Sequence, residues 1–450
     1  MVWGVLLTIA PTLAQPEPAV AQEATDSLRL ELARLASLVD SLSLEVARIR
    51  DAEEPEEAED ALAQLRAAAQ AAAAASGAPA PTTEPEEQDF VGRQRSLQLF
   101  NPEISVNTDG FVHLNKDARG EDNFFMRAFE IAIVSNLDPF SRAKIFLVRD
   151  QPGGELTPFE TGEEEEETSS LVPEEGYVEW VGLPGGFGLK MGRFFQQLGQ
   201  LNRWHQHALP LQSRSLPHIA FLGHEPLGAT GVSLHWLLPI GGGSGTYETT
   251  WEIARKETES LYGQASGVSV LGNFNAFWNF SESTDLDLSL NWVSGGYEDE
   301  TVTADRTLYA AEAALTWRPP ARSKYRGFTL RGGVMVLDGL VAARDDIQPQ
   351  VDDPHDPRIS GGRATGLWSI SEIRLNQSWL AGARFDWTEN PQDTDQSAWL
   401  FSPTLTWWQS EFVRLRMEYD LMGRSFMDSQ EGRLLLQVTF AMGPHKHESY

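Results

Sequence analysis

The side chains with the most chemical potential in this chain crowd into one connecting segment, Phe195–Leu227. Its stretch RWHQHALPLQSRSLPHIAFLGHEP carries Arg203, His205, His207, Arg214, His218, His224 and Glu225. His205 and His207 are two residues apart, so an extended backbone would set both imidazoles on one side. Zinc wants three or four ligands and an orienting outer shell, and spacing alone supplies two, so no metal is assigned and no other cofactor is expected. Arg203 and Arg214 would draw anions and Glu225 would oppose them; a ring of such charges around a narrow passage sorts ions. No Ser/His/Asp or paired-carboxylate spacing stands out, which argues against an enzyme. His445 and His447 repeat the His-x-His pattern near the end of the chain. Asp338–Asp356 is rich in carboxylates but lacks the spacing of a calcium loop, and it reads as solvated.

The elements around this segment are strands. In GVSVLGNFNAFWNF, Val268, Val270, Phe274, Ala276, Trp278 and Phe280 share one parity, with Asn273, Asn275 and Asn279 between them. Leu286, Leu288, Leu290 and Trp292 alternate with Asp285, Asp287, Ser289 and Asn291; Tyr309, Ala311, Ala313, Leu315 and Trp317 alternate with Glu312 and Thr316. Period-two patterning gives each strand one oily and one wet face. The pattern repeats about sixteen times after Leu97. Short connections near Asp138, Pro184, Gly241, Glu282, Pro320, Gln377 and Ser410 alternate with longer ones such as Gln151–Glu175, Phe195–Leu227, Gly295–Asp305 and Asp338–Thr365. Tryptophans fall at both strand ends on the oily parity. Trp236, Trp278, Trp317, Trp379 and Trp407 share one end, and Trp292, Trp387 and Trp399 the other. The expected fold is all-β: an antiparallel transmembrane β-barrel of about 16 strands with aromatic girdles, short turns facing the periplasm and long loops outside. Outer-membrane lipid is then its first partner.

Strand parity assigns the bore. Lys144, Lys190, Arg331, Arg384, Arg414 and Arg416 point inward, as do Glu130, Asp287, Glu312, Asp109, Glu252, Asp386 and Glu418. That is a mixed lining rather than a dense basic ladder.

Ahead of the barrel lie three other segments. Residues 1–21 read as a signal peptide, with a short apolar core and Ala19-Val20-Ala21 before Gln22, although the first basic residue is Arg29. Residues 22–50 form a periplasmic α-helical coiled coil. Leu32, Val39 and Val46 take its a positions, and Leu28, Leu35, Leu42 and Ile49 its d positions. Residues 51–89 are an acidic, Ala- and Pro-rich spacer, and 90–450 the barrel. The 450 residues contain no cysteine, which excludes disulfides, and carry a formal net charge of −30, which argues against nucleic acid. No apolar run is long enough for a spanning helix, whereas a barrel strand needs only about 9–11 residues.

GNFNAFWNFSESTDLDLSLNWVSGG, TLYAAEAALTWRPPARSKYRGFTLRGG, FNPEISVNTDGFV, RWHQHALP and LQVTFAMGPHKH together resemble the phosphate-selective porin-like outer-membrane proteins. The closest likeness is to an uncharacterised branch labelled zinc-regulated or TonB-dependent. The resemblance covers most of Leu97–Tyr450 and implies a channel of sixteen to eighteen strands, assembled as a homotrimer, with one long loop folded inward. It makes Phe195–Leu227 that loop and Arg203, His205, His207, Arg214, His218, His224 and Glu225 its constriction residues. The chain has no globular plug and is too short for the roughly 22 strands of TonB-type transporters. The expected function is passive diffusion of small polar or ionic solutes. The alternative is a structural anchor whose coil tethers the barrel in the periplasm, with the cell wall as its contact.

Overall fold

The computed structural model describes residues 102–115, 123–150, 156–159, 171–240, 245–298, 303–341 and 362–443. The signal peptide, coiled coil and spacer lie outside the described residues, as do His445, His447 and most of Asp338–Asp356. All described residues belong to one compact unit, Phe90–Tyr450.

Sixteen strands follow in chain order: β1 (Glu103–Asn115), β2 (Asn123–Asn136), β3 (Ser141–Asp150), β4 (Val172–Leu183), β5 (Phe187–Phe195), β6 (Gly228–Leu237), β7 (Gly245–Arg255) and β8 (Val268–Ser281); then β9 (Thr284–Glu298), β10 (Thr303–Trp317), β11 (Gly327–Asp338), β12 (Arg363–Arg374), β13 (Trp379–Glu389), β14 (Ser397–Trp408), β15 (Val413–Arg424) and β16 (Glu431–Met442). Each pairs antiparallel with its sequence neighbours. β1 pairs with β16, from Val106 opposite Met442 to Asn115 opposite Arg433, and this closes the barrel. Closure leaves no strand edge unpaired, the condition for a sheet to sit in hydrocarbon. Among the described residues no helix is long and apolar enough to cross a membrane.

The alternation read from sequence sorts as expected. Ile145, Phe274, Leu290, Tyr309, Phe385, Met417 and Val438 face outward and are exposed, while Glu130, Lys144, Asn273, Glu312 and Arg384 are buried inside. Tryptophans pair across strands on the outer surface: Trp379 stacks on Trp407 at 6.1 Å, and Trp251 meets Trp292 edge-on at 6.2 Å. Rings that are apolar in body and polar at the rim suit the two lipid–water boundaries.

Four local features depart from simple parity. β9 runs to Glu298 and β10 begins at Thr303, so the polar stretch Gly295–Asp305 is mostly ladder rather than loop. Its residues have turn chemistry, but Ser294 Oγ and Thr307 Oγ1 lie 3.0 Å apart across the pair, and the Arg306 guanidinium stacks 3.8 Å from the Tyr297 ring centre. β4 begins at Val172, so Glu174 and Glu175, which fell in or at the edge of the acidic loop by sequence, stand on the barrel wall. A bulge in β2 opposite Asp109–Phe111 adds one residue, and Arg127, outward by strict alternation, turns inward. Finally, part of the bore is apolar. Leu271, Val293, Leu308, Met335 and Leu337 lie on the wet parity of β8–β11, and there they form a cluster with Leu198, Phe221, Leu222, Leu227, Leu261 and Tyr262.

Candidate functional site

The connection between β5 and β6 is a folded insert. It contains α1 (Gly199–Arg203), a 3-10 turn (Gln206–Ala208) and α2 (Leu216–Leu222). A further short helix, α3 (Glu259–Tyr262), packs beside it from the β7–β8 connection. Helices this short carry little stability of their own, so their conformation must come from what they touch.

What they touch is the inner wall, nearly all the way round. Carboxylates on the strands accept from backbone N–H groups of the insert and of the β5 end that leads into it: Glu175 from Phe195 of β5 (2.7 Å), Glu252 from Gln197 (3.2 Å), Glu312 from Gln200 (2.7 Å), Glu418 from Gln212 (3.0 Å) and Asp386 from Leu216 (2.9 Å). Arginines on the strands donate to its carbonyls. Arg127 reaches Gln212 O, Arg384 reaches Ser213 O at 2.9 Å, Arg414 reaches His207 O at 2.7 Å, and Arg416 reaches Leu209 O at 3.2 Å. A buried irregular backbone must have its polar groups paired, and the wall charges do this in place of water. The same bonds give buried charges partners, without which they would be too costly to keep.

Two glycines mark where the fit is tightest. Gly199 has φ +72°, and a Cβ there would run into the Glu312 carboxylate. At Gly366 on β12 a Cβ would come within 2.6 Å of Pro217 of α2.

The sequence-predicted residues separate into groups. His205 and His207 are buried together against β2 and β4. Nδ1 of His205 lies 3.1 Å from Glu130 Oε2 and 2.8 Å from Glu174 Oε2, and its Nε2 lies 3.1 Å from Glu175 Oε2. His207 Nδ1 is 3.4 Å from Glu130 Oε2. Burial works against a charge on His205, but Glu130 and Glu174 outweigh it and hold its pKa well above the usual 6.5. Arg214 is turned into the insert itself, where it donates to the Leu201 carbonyl and, at 2.7 Å, to the Trp204 carbonyl. Arg203 donates to Gln197 Oε1 at 3.1 Å, near Asp287 and Glu312. His224 is half-buried and Glu225 exposed.

On the wall, Asp287 accepts from Gln200 Nε2 at 3.2 Å. Arg331 pairs with Glu372 at 2.7 Å and lies over the Trp204 ring at 5.2 Å. Lys190 sits over the Tyr177 ring at 4.7 Å, and Lys144 is buried close by. The sequence reading missed Arg127, Glu174, Glu175 and Trp368. The first needed knowledge of the bulge and the next two the true start of β4. Trp368 stands on the buried face of β12 against Leu201, Leu209 and Leu211, where a girdle tryptophan would face lipid.

His218, on α2, is 1 % exposed, with Nδ1 2.7 Å from Ser215 Oγ. Burial, with Arg214 and Arg384 nearby, pulls its pKa down to about 3. The Glu312 carboxylate, 3.9 Å from Nε2, is too far to hydrogen-bond and does not reverse this. A folded-state pKa below the unfolded value means the unfolded chain binds the proton better, so stability falls as pH drops from about 6.5 toward 3. His218→Leu is therefore expected to lessen the loss of urea resistance between pH 7.5 and 4.5. An identical loss in both proteins would show that another group titrates.

The fold is thus a closed antiparallel sixteen-strand β-barrel with an oily exterior, a charged lining and a folded insert tied across its interior. No family model matches the chain. A stretch of 67 residues is 40% identical to an uncharacterized protein of Aquifex aeolicus (strain VF5); it spans 15% of this chain and only 14% of that protein's length. Among solved structures, the chain is similar to OprB of Pseudomonas putida, with a TM-score of 0.52 at 10% identity over 78% of this chain and 96% of that one. It is also similar to Salmonella typhi OmpF, determined in complex with daunomycin, with a TM-score of 0.50 at 8% identity over 77% and 99% of the two chains. At these identities the likeness is one of fold.

Proposed function

We propose that the protein is a passive outer-membrane channel for small polar or ionic solutes, narrowed by the insert between β5 and β6. The observation that carries this reading is the insert's anchoring by wall charges from β2, β4, β7, β10, β13 and β15. A fixed, charge-lined obstruction selects by size and charge, and an unanchored loop would not. A cavity of about 600 Å³ opens near the short-turn end, lined by Arg318, Lys324, Arg331 and Arg374 with Glu372 among them. The mixed charges along the bore, rather than this basic cavity, favour general ion passage over phosphate selectivity. Homotrimeric assembly and a periplasmic coil, implied by the resemblance and the heptads, belong to the same reading.

The apolar packing inside β8–β12 favours a second reading, a barrel that mainly anchors the N-terminal coil. Planar-bilayer recording of the refolded protein separates the two. The channel reading expects discrete open steps; silence from protein shown to be inserted would leave the anchor.

A further inference from the structure

We propose that Glu130, Glu174 and His205 bind a divalent cation of the zinc class, with His207 alongside and Glu175 as the outer anchor of the histidine. One carboxylate oxygen from each glutamate and one imidazole nitrogen lie within 4.8 Å of one another. The three ligands come from β2, β4 and the insert, so chain-local spacing could not have revealed them. His205 Nδ1 faces both carboxylates, at 3.1 Å and 2.8 Å. Zinc bonds of about 2.0–2.2 Å place tetrahedral ligands about 3.4 Å apart, within small side-chain adjustments of these separations.

The surroundings orient Glu130 and His205. Asn107 Nδ2 donates to Glu130 Oε1 at 2.9 Å, which leaves Glu130 Oε2 for the shared centre. The Phe195 N–H donates to Glu175 Oε1 at 2.7 Å, and Glu175 Oε2 lies 3.1 Å from His205 Nε2. With Nε2–H given to Glu175, Nδ1 faces two carboxylate oxygens, and a cation bound among them would take the place of the Nδ1 proton. A cation reconciles three acceptors aimed at one point, and a carboxylate holding the far side of a ligating imidazole is the usual outer arrangement of zinc sites. Phe146 and Phe195, at 4.4 Å and 5.0 Å from the imidazole centre, fix the ring and shut out water. His207 Nδ1, 3.4 Å from Glu130 Oε2, offers a further nitrogen within reach. Nitrogen ligands select a zinc-like ion over calcium or magnesium, which prefer oxygen alone. Bound there, the ion would rivet the insert to β2 and β4. This site stands whether or not the barrel conducts.

The test uses the folded full chain in detergent, stripped with chelator and titrated with Zn2+ against a competing indicator dye. One tight equivalent is expected, undisturbed by excess Ca2+. His205→Ala and Glu174→Gln should each weaken binding at least tenfold, and Glu175→Gln about 10–100-fold as an outer-shell change. Barrel mobility on unboiled gels checks that each variant is folded. A crystal of the unaltered zinc-loaded protein should show an anomalous peak between Glu130, Glu174 and His205, a result that depends on no variant. Absence of zinc binding, unchanged affinity in folded variants, or a peak only at His445 and His447 would overturn the proposal.

Discussion

Excision of Gln197–Pro226, with a short Gly/Ser linker in its place, is expected to raise single-channel conductance several-fold while the barrel still folds. The ends permit it: Phe195 pairs with Gly228, and the Gln196 N–H donates to Leu227 O at 2.9 Å, so β5 and β6 already approach as a hairpin. The wall does not need the insert for its own ladder, since every strand keeps both neighbours. The wall charges that now bind the insert, among them Arg384, Arg414, Glu312 and Glu418, would meet water instead and keep a polar environment. The apolar patch of Leu271, Val293, Leu308 and Met335 would be uncovered, which is the main cost. A graded version is Gly199→Val. Left-handed φ and the Glu312 carboxylate both oppose a side chain there, so α1 could not seat against β10 and the open current should grow without any deletion. Conductance equal to that of the unaltered protein in both variants would mean that the insert does not set the narrowest point.

How much of this was legible in the sequence depends on how far each feature is governed by period two. Strand number, the order of short turns and most of the inward residues follow from alternation alone, because a one-residue slip would move a whole face from water to oil. The places where alternation misled are those where a third element intervenes. Arg127 turns inward only because β2 carries an extra residue, and nothing local in FFMRAFE announces it. Leu308 and Met335 break the wet face because α2 and α3 fold back onto them, although their apolar character on the wrong parity was a visible clue. Arg214 was read as a charge offered to passing ions, yet its guanidinium donates to Leu201 O and Trp204 O and holds the insert in shape. The His205 group was half legible. His-x-His gave two ligands, and the carboxylates that complete it lie 75 and 31 residues earlier in the chain, at Glu130 and Glu174.

Asp109→Ala is expected to cost about 3–5 kcal/mol of barrel stability, the range for removing one partner of a buried ion pair. Asp109 sits on the first strand with none of its side chain exposed, and pairs there with Arg127 of β2. Its carboxylate also accepts from Gln437 Nε2 at 2.9 and 3.0 Å and from Thr439 Oγ1 at 3.0 Å, both on the last strand. Arg127 in turn donates to the Gln212 carbonyl of the insert and lies over the Phe111 ring at 5.7 Å. One carboxylate thus joins the first and last strands to the insert at the seam where the cylinder closes. Alanine would leave the Arg127 charge buried with only a carbonyl for company, and would strip Gln437 and Thr439 of their acceptor. Asn at the same position keeps an acceptor for those two and loses only the charge, so its cost should be smaller. Removing a carboxylate from a solvated turn, as in Glu282→Ala, should stay within about 0.5 kcal/mol. Urea unfolding of the refolded protein in lipid vesicles, read by mobility on unboiled gels, measures all three. A loss below about 1 kcal/mol for Asp109→Ala, the range of an exposed pair, would mean that water reaches the seam and that closure rests on the backbone ladder between β1 and β16.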